Sequence, residues 1–196
     1  MPERPQDAGE PPDVTPKAVR VEGSKIIGID GSPVGVWVDA GLVGEFGDVV
    51  ARAIEGAAPG AGTPGAGAPG VIVACWSGSP GATPDDLFPD DPSAWTAGAW
   101  AALDGAIDRL APALGARGMT LLVRPHHRHI VGDVPSVGRL RRALAERGVA
   151  GVGVLLDVES MLAESMRARD VADHRRRIGE ALRDVAPFEI VYTPDP

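Results

Sequence analysis

The feature that most constrains this chain is an alternation of short apolar runs with helical patterns. Apolar runs of strand length stand at residues 71–76, 119–123, 152–156 and 188–192. Between them, apolar residues recur every three or four positions, which is typical of amphipathic helices. Apolar strands that alternate with helices are typical of parallel sheets covered by helices. The order therefore predicts an α/β protein.

Two shorter apolar pieces lie within residues 25–38 and are split by Asp-Gly-Ser-Pro. They predict either a turn between two strands or one strand with its loop. The total is about five parallel strands. A complete eight-stranded TIM-type (β/α) barrel typically needs ~250 residues, which is more than the 196 residues of this chain. We therefore predict an incomplete or truncated TIM-type (β/α) barrel with about five parallel strands. The alternative is a small open doubly wound α/β sheet, which would be a partner-binding module.

Helix starts and chain segments are also indicated. Ser93 and Ser136 are predicted N-caps of two of the helices. Residues 1–20 are rich in proline and charge and predict a disordered tail. Residues 56–70 consist almost entirely of Gly, Ala and Pro and predict a flexible loop. Residues 21–196 are then predicted to form a single α/β domain.

Charge and composition limit the partners. The formal net charge of −8 disfavours nucleic acid and anionic membrane surfaces. No run reaches the ~18 apolar residues of a membrane span, and the N-terminus lacks the apolar stretch of a signal peptide. We expect a cytoplasmic protein without membrane partners. The single cysteine, Cys75, lies within an apolar run and is predicted to be a buried strand thiol.

Charged and imidazole side chains follow two of the strands directly. Arg124 ends one apolar run, and Asp157 ends the next. Because the carboxyl ends of parallel strands meet at one edge of a sheet, both predict a common site. Arg124 is predicted either to pair with Asp157 across neighbouring strands or to hold a carboxylate or phosphate of a ligand.

A histidine-rich loop follows Arg124. His126, His127 and His129 are interpreted as solvated or hydrogen-bonded loop histidines. The alternative is a rebuilt metal site from His126, Asp157 and Glu159. Alternation along an extended strand would place the two carboxylates on the same side, and imidazole with carboxylate suits zinc or ferrous iron.

Three segments follow one another in this part of the chain. A strand leads into Pro125-His126, a helix comes next, and the run Gly-Val-Leu-Leu-Asp then ends at Asp157. This spacing resembles the xylose-isomerase-like sugar phosphate isomerase/epimerase family, whose members are TIM barrels. The helix and Gly-rich end at residues 100–119 are similar to the same family. So is the last strand, and the resemblance covers roughly residues 70–196.

The resemblance implies one divalent metal held at the strand ends by two Glu, an Asp and a His. The metal polarises a sugar carbonyl or hydroxyl while carboxylates move the proton. This chain departs from that pattern, because Arg124 stands where the family has Glu before Pro-His. Ser160 and Tyr192 stand where the family has His, and Asp157 alone matches.

We therefore predict a divergent isomerase/epimerase-like protein that has lost most of the family's metal site. It would be a non-catalytic binding or accessory protein for a small sugar-like molecule, with no cofactor. The alternative is an active isomerase/epimerase for a sugar or small polyol, with Mn, Mg or Zn. The candidate residues are Asp157, Glu159 and His126 for catalysis, and Arg124, His129, Trp76 and Tyr192 for substrate binding. An incomplete barrel leaves two sheet edges exposed, so we also expect a homo-oligomer formed through them.

Overall fold

The computed structural model describes residues 18–28, 33–43, 47–56, 71–185 and 190–192. Within these ranges the strands, in chain order, are β1 Ala18–Glu22, β2 Lys25–Gly28, β3 Pro33–Gly41, β4 Ile72–Trp76, β5 Thr120–Arg124, β6 Val152–Leu156 and β7 Ile190–Tyr192. The helices are α1 Gly47–Gly56, α2 Ala97–Arg117, α3 Val134–Glu146, α4 Val158–Met161, α5 Glu164–Arg167 and α6 Val171–Val185. A short 3-10 helix, Pro92–Trp95, precedes α2.

The described strands form one closed ring in the order β1-β2-β3-β4-β5-β6-β7. Neighbours from β3 to β7 are parallel, and β1 is parallel to β7. Of the described strands, β2 alone runs the opposite way, as the middle strand of an antiparallel β1-β2-β3 meander. The prediction of an incomplete barrel with about five parallel strands is confirmed, because the ring has fewer than eight strands. The alternative of an open doubly wound sheet is wrong.

Ring closure corrects two further predictions. Pairing of Ala18 with Val191 and of Val19 with Tyr192 joins β1 to β7, so the described strands leave no open edge of the kind expected. Homo-oligomerisation stays a prediction. The described strands do not supply the exposed edges through which it was expected. The boundary of the predicted tail is wrong by three residues because β1 begins at Ala18. The rest of that tail, and residues 57–70 of the predicted loop, lie outside the described residues.

Strands β4, β5 and β6 are largely buried on both faces, which is why their sequences are almost wholly apolar. In β4, Ile72 and Ala74 belong to a core inside the ring, whereas Val73 and Cys75 belong to a core between ring and helices. Burial raises the pKa of the Cys75 thiol far above its ordinary value. The prediction of a buried strand thiol is confirmed.

The same alternation positions the site. Side chains two residues apart on a strand point to the same face. In β4, β5 and β6, the inner-core residues Ala74, Leu122 and Leu155 are followed two positions later by polar or amphipathic side chains. These are Trp76, Arg124 and Asp157. They therefore lie above the inner core, at the carboxyl end of the ring, which we call the barrel mouth.

The long helices begin at polar caps that differ from the predicted ones. Ser93 lies in the 3-10 helix, and Thr96 caps α2 by accepting from the N–H of Ala99 at 3.3 Å. Asp133 caps α3, and Ser136 is the third residue of that helix rather than its cap. In the described part of the chain, every helix lacks the combination of length and apolar character that crossing a membrane requires.

Candidate binding site at the barrel mouth

An ion pair joins neighbouring strand ends at the barrel mouth. Arg124 ends β5 and Asp157 directly follows β6. Arg124 Nε donates to Asp157 Oδ2 at 2.9 Å, and Nη2 donates to the same oxygen. Only 13% of the Arg124 side chain and 2% of the Asp157 side chain are exposed. The predicted pairing is confirmed, and the two charges compensate each other away from bulk water.

Two tryptophan rings contact the guanidinium of this pair. Arg124 Cζ lies 4.5 Å from the ring centroid of Trp76 and 5.2 Å from that of Trp37, within cation–π range. The two rings are nearly perpendicular, with centroids 5.1 Å apart. Trp76 Nε1 donates to Asp39 Oδ1 at 3.0 Å. Trp76 thus lies at the mouth, where the sequence predicted a binding residue.

Phe88, in the loop after β4, packs against two imidazoles from the loop after β5. Its ring is nearly parallel to that of His129, with centroids 5.1 Å apart, and lies 4.3 Å from that of His126. The ring of Trp76 packs edge-to-face against these three rings, with centroid distances of 5.1 to 5.8 Å. We call Trp76, Phe88, His126 and His129 the aromatic cluster. It brings both predicted histidines to the mouth.

Hydrogen bonds tie these two loops together. His129 Nε2 lies 2.9 Å from the carbonyl oxygen of Leu87, and Arg128 Nη1 donates to that of Phe88 at 3.1 Å. A carbonyl can only accept, so the proton of neutral His129 is on Nε2 and its Nδ1 is an acceptor. That Nδ1 is buried and has no hydrogen-bond partner among the described residues.

Both imidazoles of the aromatic cluster are held in the neutral form. Burial lowers the pKa of His126 to about 3, helped by the nearby His129, His127, Arg128 and Arg124. Burial also lowers the pKa of His129 to about 4, partly opposed by its bond to Leu87. At neutral pH, neither ring adds positive charge to the mouth.

The prediction that Asp157 and Glu159 share one side is wrong, because the strand ends before them. Asp157 is the N-cap of α4, and its Oδ1 accepts from the N–H of Glu159 at 3.0 Å. Glu159 lies in the first turn of α4 and forms an ion pair with Arg175 of α6. Arg175 Nη2 donates to Glu159 Oε2 at 3.0 Å. Glu159 does not take part in the mouth.

The alternative metal site of His126, Asp157 and Glu159 does not form. Asp157 is bound to Arg124, and His126 lies in the aromatic cluster. In the described ranges, no group of three or more His, Cys, Asp or Glu side chains is placed to hold a metal ion. A guanidinium only donates hydrogen bonds and cannot be a ligand. The residues therefore do not fit the divalent metal that the resemblance implies.

The other predicted residues are at the mouth or beside it. The backbone of Tyr192 pairs with Val19, and its side chain lies outside what the structure describes. His127 Nδ1 lies 3.3 Å from the carbonyl oxygen of Ser160, and its ring packs on that of His126. Ser160 donates to the carbonyl of Pro125 at 2.6 Å, so it braces the histidine loop.

Sequence reasoning missed Asp39 and Phe88. Asp39 stands two residues after Trp37 in β3, so strand alternation would have placed both on one face of the sheet. Phe88 lies in a loop, where no periodicity predicts what a side chain will contact. Its position depends on bonds to the histidine loop, which are contacts between residues 40 or more positions apart.

The fold and the mouth define an incomplete (β/α) barrel with a compensated ion pair and aromatic walls at its carboxyl end. No protein-family model and no curated protein matches this chain. Among solved structures it is similar to "3-keto-D-glucoside 4-epimerase, YcjR, from E. coli, apo form", with 15% identity and a TM-score of 0.40. The match covers 63% of this chain and 43% of that one. A likeness this low carries no argument about function.

Proposed function

We propose that this protein is a non-catalytic binding protein for a small sugar-like molecule, which it takes at the barrel mouth. The observation that carries the proposal is the Arg124–Asp157 ion pair, set against the rings of Trp37 and Trp76. Binding sites of (β/α) barrels lie at this end of the strands.

The ion pair argues against chemistry by the carboxylate. Proton transfer to or from a sugar carbon needs a base with an accessible lone pair. Asp157 has both oxygens engaged, by Arg124 and by the N–H of Glu159, and its side chain is 2% exposed. A ligand could reach it only after Arg124 moved away.

The walls of the mouth argue for a sugar-like ligand. Aromatic rings pack well against the apolar C–H faces of a sugar, and the half-buried Trp37 offers such a ring beside polar groups, with the buried Trp76 packed against it. Asp39 is an exposed carboxylate that accepts from Trp76 and can accept further hydroxyl donors. A few placed polar groups among aromatic side chains are typical of small-molecule sites.

Titration calorimetry with a panel of neutral hexoses, pentoses and polyols tests the proposal. We expect measurable heat and a change in tryptophan fluorescence for at least one of them in the wild type. Trp76→Ala should abolish both signals, whereas Trp95→Ala, which removes an exposed ring outside the aromatic cluster, should keep the heat. A panel that gives no heat at millimolar concentrations would overturn it.

A second candidate function rests on the two neutral imidazoles. An active isomerase/epimerase for a sugar or small polyol would use Arg124, Asp157 and the histidine loop, with His126 as proton acceptor. Its ring is unprotonated at neutral pH and so has a lone pair that can accept a proton, although a pKa this far below the working pH makes it a weak base. Deuterium uptake from D2O at a sugar carbon, followed by NMR, would support catalysis if His126→Gln abolished it. No uptake over days would favour the binding function.

A further inference from the structure

Two acceptors at the mouth have hydrogen-bonding capacity that the described residues leave unused. Among the described residues, the contact of the Asp39 carboxylate is the indole N–H of Trp76, which occupies one oxygen. His129 Nδ1 is buried within the aromatic cluster and has no partner in the described ranges. Of these two acceptors, the exposed carboxylate of Asp39 is the one that a ligand can reach, so a ligand that brings donors is favoured there.

Among the residues that the structure describes, the uncompensated charges around the mouth are mostly negative. Arg124 is compensated by Asp157, and Arg128 pairs with Glu164 at 3.2 Å. Neither imidazole of the aromatic cluster is protonated at neutral pH, because burial lowers the pKa of both. The loop that carries Phe88 adds exposed carboxylates at Asp85, Asp86 and Asp90.

We infer that the mouth selects a hydroxylated ligand that carries an ammonium group, rejects phosphorylated sugars, and uses Asp39 to make this choice. The inference rests on the proposed binding function and names its ligand class. An ammonium group supplies donors and positive charge, and it also suits the faces of the aromatic rings. A phosphate supplies neither, because it presents acceptor oxygens and negative charge to a mouth that already has both.

The expected preferences are measurable. Two unit charges 4 Å apart that are fully screened by water attract each other by about 1 kcal/mol, which corresponds to roughly a five-fold change in Kd. We therefore expect an amino sugar to bind roughly five-fold more tightly than the matching neutral sugar. The phosphorylated sugar should bind more weakly by a similar factor. Both differences should shrink in high salt, because exposed charges are screened.

Titration calorimetry at pH 7 and low salt with glucosamine, glucose and glucose 6-phosphate tests the inference. The order of affinity should follow that order of ligands. Asp39→Asn keeps an oxygen to accept from Trp76 and should bring glucosamine and glucose to equal affinity. Glu55→Gln, which removes an exposed carboxylate from α1 on the outer layer, is the matched control and should leave the preference unchanged.

Each outcome separates the inference from the proposed function. If glucose 6-phosphate binds as tightly as glucosamine, the inference is wrong although binding at the mouth stands. If Asp39→Asn folds but keeps the preference, Asp39 does not set it, and the inference is again wrong. If Asp39→Asn does not fold, the wild-type order and its salt dependence decide. If none of the three sugars binds, the inference is wrong, and the wider panel of neutral hexoses, pentoses and polyols decides the proposed function.

Discussion

The carboxylate of Asp157 is bound by three donors and meets almost no water. Oδ2 accepts from Nε and Nη2 of Arg124, and Oδ1 accepts from the backbone N–H of Glu159. A buried pair of this kind adds little to stability compared with apolar side chains, but removing one partner leaves a buried charge. Substitutions of the two residues should therefore be strongly non-additive.

Arg124→Met should lower the free energy of unfolding by about 3 kcal/mol or more, because Asp157 then lies buried without a counter-ion. Asp157→Asn alone leaves the guanidinium without its charged partner. The double variant Arg124→Met/Asp157→Asn should recover at least about 1 kcal/mol relative to the sum of the two single losses. The Asn oxygen can still accept from the N–H of Glu159. Urea unfolding of all four proteins measures this coupling.

An exposed arginine supplies the matched control. Arg176 of α6 pairs with Asp173 and Glu180, and its side chain is more than half exposed. Arg176→Met should cost far less than Arg124→Met, because exposed ion pairs contribute little to stability. Strict additivity of the Arg124 and Asp157 variants would show that the ion pair is not the buried, coupled unit described here.

Helix α3 begins with a reciprocal cap. Asp133 accepts from the N–H of Ser136 at 2.8 Å, while the Ser136 hydroxyl accepts from the N–H of Asp133 at 2.9 Å. Two N–H groups that helix geometry leaves without partners are satisfied in this way. The same helix lies after the histidine loop, so its start also fixes where that loop ends.

Asp133→Ala should lower the free energy of unfolding by about 1 kcal/mol, because it removes the acceptor for the Ser136 N–H. Asp133→Asn keeps an acceptor oxygen and should cost much less. Thermal and urea unfolding compare the two variants. Equal losses for Ala and Asn would mean that the charge of Asp133, rather than its cap geometry, supports α3.

The helices and parallel strands were predictable from sequence because their signals are local. Apolar runs and helical spacing marked β4, β5, β6 and the long helices. Helix starts were less well predicted, since Ser93 and Ser136 are good caps by residue type. The nearby Thr96 and Asp133 make the observed caps instead. Residue type alone does not decide between polar residues three positions apart.

Closure of the ring was not predictable, because it depends on contacts between distant parts of the chain. β1 pairs with β7 across nearly the whole sequence, and Lys25–Gly28 reads as an apolar strand without indicating its direction. The site was predictable where it follows strand ends, as for Arg124 and Asp157. It was not predictable where a loop supplies the contact, as for Phe88.

The loops over the mouth couple acidity to the stability of the whole fold. His126 and His129 have folded-state pKa values of about 3 and 4, below the ordinary value of 6.5. As pH falls below 6.5, the unfolded chain takes up protons that the folded protein does not. Their contribution to stability is therefore complete above about pH 6.5 and is lost progressively as pH falls towards 4 for His129 and 3 for His126.

We expect the free energy of unfolding to fall on the order of 3 kcal/mol between pH 7 and pH 4.5, a value that allows for the partial exposure of His126. Urea unfolding across this range measures the slope. His129→Gln keeps an N–H for the carbonyl of Leu87 and should remove about half of the slope. A slope that is unchanged in His129→Gln would mean that carboxylates, rather than the aromatic cluster, set the acid sensitivity of this barrel.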